Sequence, residues 1–140
     1  MSKYFEKELE KGGALTCPCA CNAKMNKQTM ARLESLRDLY GKPIYIEAGA
    51  TCMTYSTNLG RSSKSQHIDS GDGARAIDVK SKTFESKMDW FIFNGLAIQL
   101  GFTAFGIGSK WVGAGADERT HLDDRVIGED EDIKTWVYGA

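Results

Sequence analysis

The sequence predicts an α+β fold, a small, mostly antiparallel sheet carrying two main helices. Three observations lead there. Strand-like and helix-like segments are mixed without the regular βαβ alternation of a parallel sheet. Two long segments carry helical spacing with recognisable ends. The 140 residues can bury one real core but are too few for two ordinary domains. Residues 1–13 are polar and end at Gly12-Gly13. They are expected to be a flexible N-terminal arm, with residues 14–140 as the single domain.

The elements follow in chain order. Asn26 suits an N-cap for a helix over roughly 27–40, where Met30, Leu33, Leu36 and Tyr40 recur at helical spacing. Gly41 and Pro43 stop it. Residues 43–48 read as a strand. A polar stretch bracketed by Gly49 and Gly60 has room for a short helical turn. Residues 61–73 are loop by composition, and residues 75–80 alternate as a strand. Residues 83–100 read as the second helix; Phe84, Met88, Phe91 and Leu96 spread around it, which predicts deep burial. Gly101 ends it. Residues 103–108 form a glycine-rich strand, 120–123 a short extended piece, and 132–138 a closing strand.

Charge and hydropathy narrow the function classes. Lys plus Arg number 18 and Asp plus Glu 19. This balance gives no general attraction to nucleic acid or an anionic membrane, so no nucleic-acid partner is expected. The longest apolar run, Trp90 to Leu100, is too short for a bilayer and is broken by Asn94 and Gly95. No membrane insertion is expected. The first residues alternate charges and lack the apolar core of a secretory signal. The expectation is a monomer made in a cytoplasm without a signal peptide.

The two histidines, His67 and His121, bound any imidazole chemistry. Ala74, Ala76, Asp78 and Lys80 share one strand face, leaving Ile77 and Val79 for the core. Asp78 therefore has room in front of it. Ser65 and His67 share a side if their segment is extended, as do His121 and Asp123. Two imidazoles and a carboxylate match the donor set of a catalytic zinc, which keeps an open fourth position. Zinc polarises a carbonyl and acidifies water, and Glu118 can move the proton to a leaving amine. Spacing alone does not separate this from two ordinary histidines and an Asp bonded to backbone.

The motifs carry a further signal. Ser65-Gln-His67, Gly73-Ala-Arg-Ala-Ile-Asp78 and His121-Leu-Asp123 resemble the zinc D-alanyl-D-alanine carboxypeptidase family. That family includes VanX- and VanY-type peptidases and phage L-alanyl-D-glutamate endolysins. Upstream, Thr16-Cys-Pro-Cys-Ala-Cys21, the 33–43 segment, Ala48-Gly-Ala-Thr-Cys52 and Asn58-Leu-Gly60 resemble a compact branch of it, so the likeness runs over roughly 14–125.

The resemblance implies a hedgehog/DD-peptidase-like fold, Zn2+ bound by His67, Asp78 and His121, and Glu118 as general base and acid. Ser65 would orient substrate, and Asp123 would support the ligand His121. The substrate would be a peptide of bacterial peptidoglycan, met at the cell wall after phage-type release or from a virion. The alternative is a non-catalytic zinc-binding structural or wall-binding module on the same fold.

Two departures stand out. The interval between His67 and Asp78 is longer than the family's usual one, with the excess in Asp69–Gly73. Thr51 also stands where many members carry an Arg that binds a substrate carboxylate. Arg61 and Arg75 are then the nearest replacement cations, and the endopeptidase reading suffers least. Trp111 is the expected substrate wall.

Other motifs stay open. Cys17, Cys19, Cys21 and Cys52 can be free, paired, or a four-thiolate zinc site with unusually tight spacing. Asp69-Ser-Gly-Asp72-Gly lacks the full EF-hand pattern and reads as a turn-rich loop. Glu129–Asp132 reads as a solvated acidic turn.

Overall fold

The computed structural model describes residues 2–19 and 21–139; Met1, Ala20 and Ala140 lie outside the described residues. The helices are α1 (Glu6–Leu9), α2 (Lys27–Tyr40), α3 (Met53–Asn58) and α4 (Lys87–Gln99). The strands are β1 (Ile46–Ala48), β2 (Ala76–Val79), β3 (Ala104–Gly108), β4 (Thr120–Asp123) and β5 (Lys134–Tyr138). Among the described residues the strands form one sheet in the order β1-β2-β4-β3-β5. Only the β3–β5 pair is parallel. The architecture is α+β, as the mixed periodicity predicts.

Helix α2 starts and stops where its capping residues dictate. The Asn26 side-chain oxygen accepts from the backbone N–H groups of Gln28 and Thr29, at 2.9 and 3.0 Å, supplying donors at the helix start with an acceptor. Gly41 ends the helix in the left-handed conformation, which a side chain would oppose. Helix α4 begins four residues later than its periodicity suggests. Ser86 caps it through Asp89 N–H at 3.1 Å. Thr83 is meanwhile held outside: its hydroxyl accepts from Tyr45 N–H and its carbonyl from the Tyr40 hydroxyl.

One face of the sheet packs on these helices. Ile77, Phe105 and Leu122 share that face through the β2–β4 and β3–β4 registers. They join Leu33 and Leu36 of α2 and Phe93 and Ala97 of α4 in the core. By alternation, Asp78, Gly106 and His121 point to the other face.

Two expectations are corrected here. Helix α4 is not deeply buried: Trp90, Phe93 and Ala97 form its buried stripe, while Met88 is 67% and Phe91 57% exposed. In a two-layer fold an outer helix buries one stripe, whatever the composition of its far side. No helix among the described residues is long and apolar enough to cross a membrane.

Residues 2–13 are not a loose arm. Phe5 is only 2% exposed and belongs to the core. Ser2 and Tyr4 bond Glu34 and Asp38 on α2, and Lys3 pairs with Asp38. A polar segment can dock through one aromatic anchor when the charges around it meet partners. Truncation of that anchor, Phe5→Ala, is expected to destabilise the fold by about 3–5 kcal/mol in urea unfolding. A value within about 0.5 kcal/mol, typical of a surface change, would return the segment to a loose arm.

Candidate metal centre

The sheet sets two of the three candidate ligands. Asp78 and His121 are direct partners in the β2–β4 register, so both project from the face away from the helices. His67 arrives from the 61–73 loop, which is tied down locally. Thr51 N–H donates to the His67 carbonyl at 2.8 Å, and Asp69 N–H returns to the Thr51 carbonyl at 2.9 Å. The result is one parallel bridge between Thr51 and Ile68. Candidate ligand atoms of His67, Asp78 and His121 all lie within 4.8 Å of one another.

Hydrogen bonds dictate which nitrogen of each ring faces Asp78. His67 Nδ1 lies 2.8 Å from the Gly49 carbonyl. A carbonyl only accepts, so Nδ1 carries the proton. The neutral ring then presents the bare lone pair of Nε2 to Asp78 Oδ2 at 3.2 Å. Two lone pairs facing each other need a proton or a metal ion between them.

His121 is flanked by two carboxylates, Asp78 Oδ1 at 3.0 Å from Nδ1 and Asp123 Oδ2 at 2.8 Å from Nε2. Burial opposes the charged ring, but hydrogen bonds to Asp123 and Asp78 outweigh it and raise the His121 pKa. Burial likewise works to raise the Asp78 carboxyl, yet hydrogen bonds from His121 and His67 hold it well below the ordinary carboxylate range.

Asp123 is itself fully buried and held by Arg125 through bonds of 2.8 and 2.7 Å. It keeps a proton on Nε2 and leaves Nδ1 as the coordinating atom. A bound carboxylate orienting a ligand imidazole is the standard support for a metal site. Two oriented imidazoles and a carboxylate fit zinc. His67 Nε2, a carboxylate oxygen of Asp78 and His121 Nδ1 would hold it.

The other expected residues sort themselves by location. Asp78 lies where two clefts meet. One, of about 420 Å³, is lined by Glu118, Ser81, Lys82 and Arg119. The other, of about 520 Å³, is lined by Thr51, Tyr55 and Arg61. Glu47 and Asp78 border both.

The Glu118 carboxylate is half-exposed and gripped by Lys110 at 2.7 Å and Ser81 at 2.8 Å. The Lys110 bond, then the Ser81 bond, pulls its pKa down. Ser65 accepts from the His67 backbone N–H at 3.3 Å, so it shapes the loop that carries the ligand.

Arg75 and Trp111 sit elsewhere. Arg75 occupies the strand face opposite Asp78 and pairs with Asp124 and Asp72. Trp111 is buried, stacked on Trp90. Its indole N–H donates to the Glu118 carbonyl at 3.1 Å, so it anchors the backbone of Glu118 instead of walling a cleft. The Asp69 carboxylate accepts from the N–H groups of Lys24, Gly71 and Gly73, which makes its loop a self-capped turn.

Two aromatic residues near His121 were not singled out as site residues. Trp136 lies 5.2 Å from His121, ring centre to ring centre, and Tyr138 follows on the same side of β5. Their space comes from β3: a Cβ at Gly106 would lie 2.5–2.8 Å from the Tyr138 and Trp136 rings. Gly108 likewise admits the backbone of Asp117 and Arg119, which flank Glu118. The legible signal was the pair of alternating glycines facing alternating aromatics on a neighbouring strand.

Two outcomes follow from the proton inventory. Asp123→Asn should weaken zinc binding by about 10–100-fold in chelator competition, with the circular dichroism unchanged. The second concerns pH. His121, with its pKa raised on folding, stabilises the metal-free protein fully below its ordinary value of about 6.5. That contribution is lost as pH rises through the folded value. Metal-free Tm should therefore fall above about pH 6.5, and His121→Gln should remove that part of the fall.

A family model described as Peptidase M15 matches residues 4–108. The matched span takes in His67 and Asp78 and ends before Glu118 and His121. No curated protein and no solved structure gives a significant match. The match covers most of the chain, from the docked N-terminal segment to the end of β3, and the chain belongs to the Peptidase M15 family, whose members are typically zinc-dependent peptidases.

Proposed function

We propose that this protein is a zinc peptidase that cuts an internal bond of bacterial peptidoglycan stem peptides, as L-alanyl-D-glutamate endolysins do. The observation that carries the endopeptidase reading is that Asp78 borders two clefts. A carboxypeptidase needs a site closed behind the terminal residue, with a cation for its carboxylate. At the position where many members carry that cation, Thr51 is buried with its hydroxyl on the His67 carbonyl, and Arg61 lines the same cleft. Two clefts meeting at the candidate ligand Asp78 suit a peptide that extends past the cut bond.

Charge supports the substrate class. Arg61 lines one cleft, and Lys80, Lys82 and Arg119 line the other, with Glu47 bordering both and Arg119 paired with Asp117. Cations on both sides suit a peptide that carries free carboxylates along its length, despite a net charge of only -1 on the whole chain.

When bound, zinc supplies Lewis acidity that polarises the scissile carbonyl and acidifies the attacking water. His67 and His121 are held for this by Gly49 and Asp123, so neither ring must reorient as substrate arrives. Glu118 is ionised at neutral pH and accepts the water's proton, which it passes to the leaving nitrogen. The contacts that keep it ionised also make it a weak base. A peptide filling the cleft strips water from this half-exposed side chain, and desolvation raises a carboxyl's pKa. Substrate entry thereby moves Glu118 toward a useful proton affinity. We propose that such an enzyme reaches the wall by phage-type release or as part of a virion.

Digestion of purified peptidoglycan, followed by mass spectrometry, tests the reading. New D-glutamate N-termini are expected; released D-alanine would make it a carboxypeptidase. No product from zinc-loaded protein would leave a non-catalytic wall-binding module. Glu118→Gln should retain zinc and lose turnover by ~100-fold or more; unaltered turnover would remove Glu118 from proton transfer.

A further inference from the structure

Outside the His67–Asp78–His121 cluster, a second set of metal-ligating side chains converges. Cys17, Cys19, Cys21 and Cys52 each offer a sulfur, and the four lie within 4.8 Å of one another. The sequence spacing is tight, yet the fold brings Cys52 in from the start of α3. Sulfur separations are 3.3 Å for Cys17–Cys19, 3.5 Å for Cys19–Cys52 and 3.8 Å for Cys17–Cys52. A tetrahedron of sulfurs each about 2.3 Å from a zinc ion has edges of about 3.8 Å. The cluster already has nearly that size.

The backbone treats three of these sulfurs as acceptors. Cys52 N–H donates to Cys17 Sγ at 3.4 Å, Tyr55 N–H to Cys52 Sγ at 3.4 Å, and Ala23 N–H to Cys21 Sγ at 3.5 Å. Donors aimed at sulfur favour thiolate over thiol, and thiolate is the form that binds metal. Four thiolates in one place repel unless a cation lies among them.

We propose that Cys17, Cys19, Cys21 and Cys52 form a second, tetrathiolate zinc site that braces the loop carrying His67. The route is short. Cys52 follows Thr51, whose N–H holds the His67 carbonyl, and Gly49 holds the His67 ring. A zinc at the four sulfurs clamps Cys17, Cys19 and Cys21 to this segment and so fixes one ligand of the first site. The site has four protein ligands and no open position, which makes it structural rather than catalytic.

The proposal stands apart from the peptidase reading, and the test separates them. Full-length protein purified under reductant should hold two zinc ions per chain by elemental analysis. X-ray absorption at the zinc edge should show a sulfur shell at about 2.3 Å. The double change Cys19→Ser, Cys21→Ser alters two exposed side chains. It should leave one zinc and no full sulfur shell, with the fold kept by circular dichroism. His121→Ala should keep the sulfur-bound zinc and lose the other. Cobalt in place of zinc should give sulfur-to-metal charge-transfer absorption in His121→Ala but not in the double Cys variant.

A further readout is the affinity of the first site. It should fall in the double Cys variant even though no ligand of that site has changed. One zinc per wild-type chain with no sulfur shell would overturn the proposal. So would a mass lowered by paired hydrogens, which marks disulfides, or iron with inorganic sulfide on the same thiolates.

Discussion

Asp78 faces His121 across the β2–β4 ladder, and that one register pair constrains the rest of the site. A slip of one residue would turn every side chain of β2 to the other face. It would put Asp78 among Leu33, Phe93 and Leu122, and Ile77 in the cleft. The apolar set Ile77, Phe105 and Leu122 therefore does more than fill the core. By having a single favourable register, it holds a carboxylate against an imidazole on the opposite face. Packing on one side of the sheet specifies chemistry on the other.

The third ligand needs a different device, because no strand carries His67. A loop residue has no ladder to fix it, and loops open more easily than strands. Here the backbone of Thr51 bonds the His67 carbonyl and the Asp69 N–H, on either side of Ile68, and the Gly49 carbonyl fixes the ring. The longer interval from His67 to Asp78 is absorbed beyond this grip. Asp69 caps Gly71 and Gly73, and Ala74 N–H donates to the Lys24 carbonyl. The chain is back in register before β2 begins. Extra length placed between two anchored points costs only slowly growing loop entropy.

Much of this was legible in the sequence, and the gaps share one cause. Helix α2 could be read to the residue because Asn26, the 3.6-residue spacing and Gly41 are local signals. The faces of β2 and β4 were legible from alternation, which put Asp78, His121 and Asp123 on available sides. Phe5, Met88, Phe91 and Trp111 were misread because their burial depends on partners far along the chain. An aromatic in a polar segment looks idle until the α2 face it meets is known. An apolar helix looks buried until the number of layers is known. Arg75 reads as a free cation near the ligands, but strand alternation carries it to the far side, where Asp124 waits.

That pairing bears on what the metal site can hold. Asp123 and Asp124 are adjacent and both buried, which in an apolar setting would be prohibitive for two charges. They point to opposite sides of the sheet, and each has its own guanidinium. Arg125 neutralises Asp123, while Arg32 and Arg75 share Asp124, which also accepts from Thr29. With those charges settled locally, the one carboxylate among the candidate ligands is that of Asp78, beside two imidazoles. A single carboxylate with two neutral donors binds a divalent cation without cancelling its positive charge. The net charge that remains is what lets the ion polarise a carbonyl. Arg125 beside the ligand cluster, and Arg32 and Arg75 behind the sheet, therefore help to determine how strongly an ion at Asp78 can act.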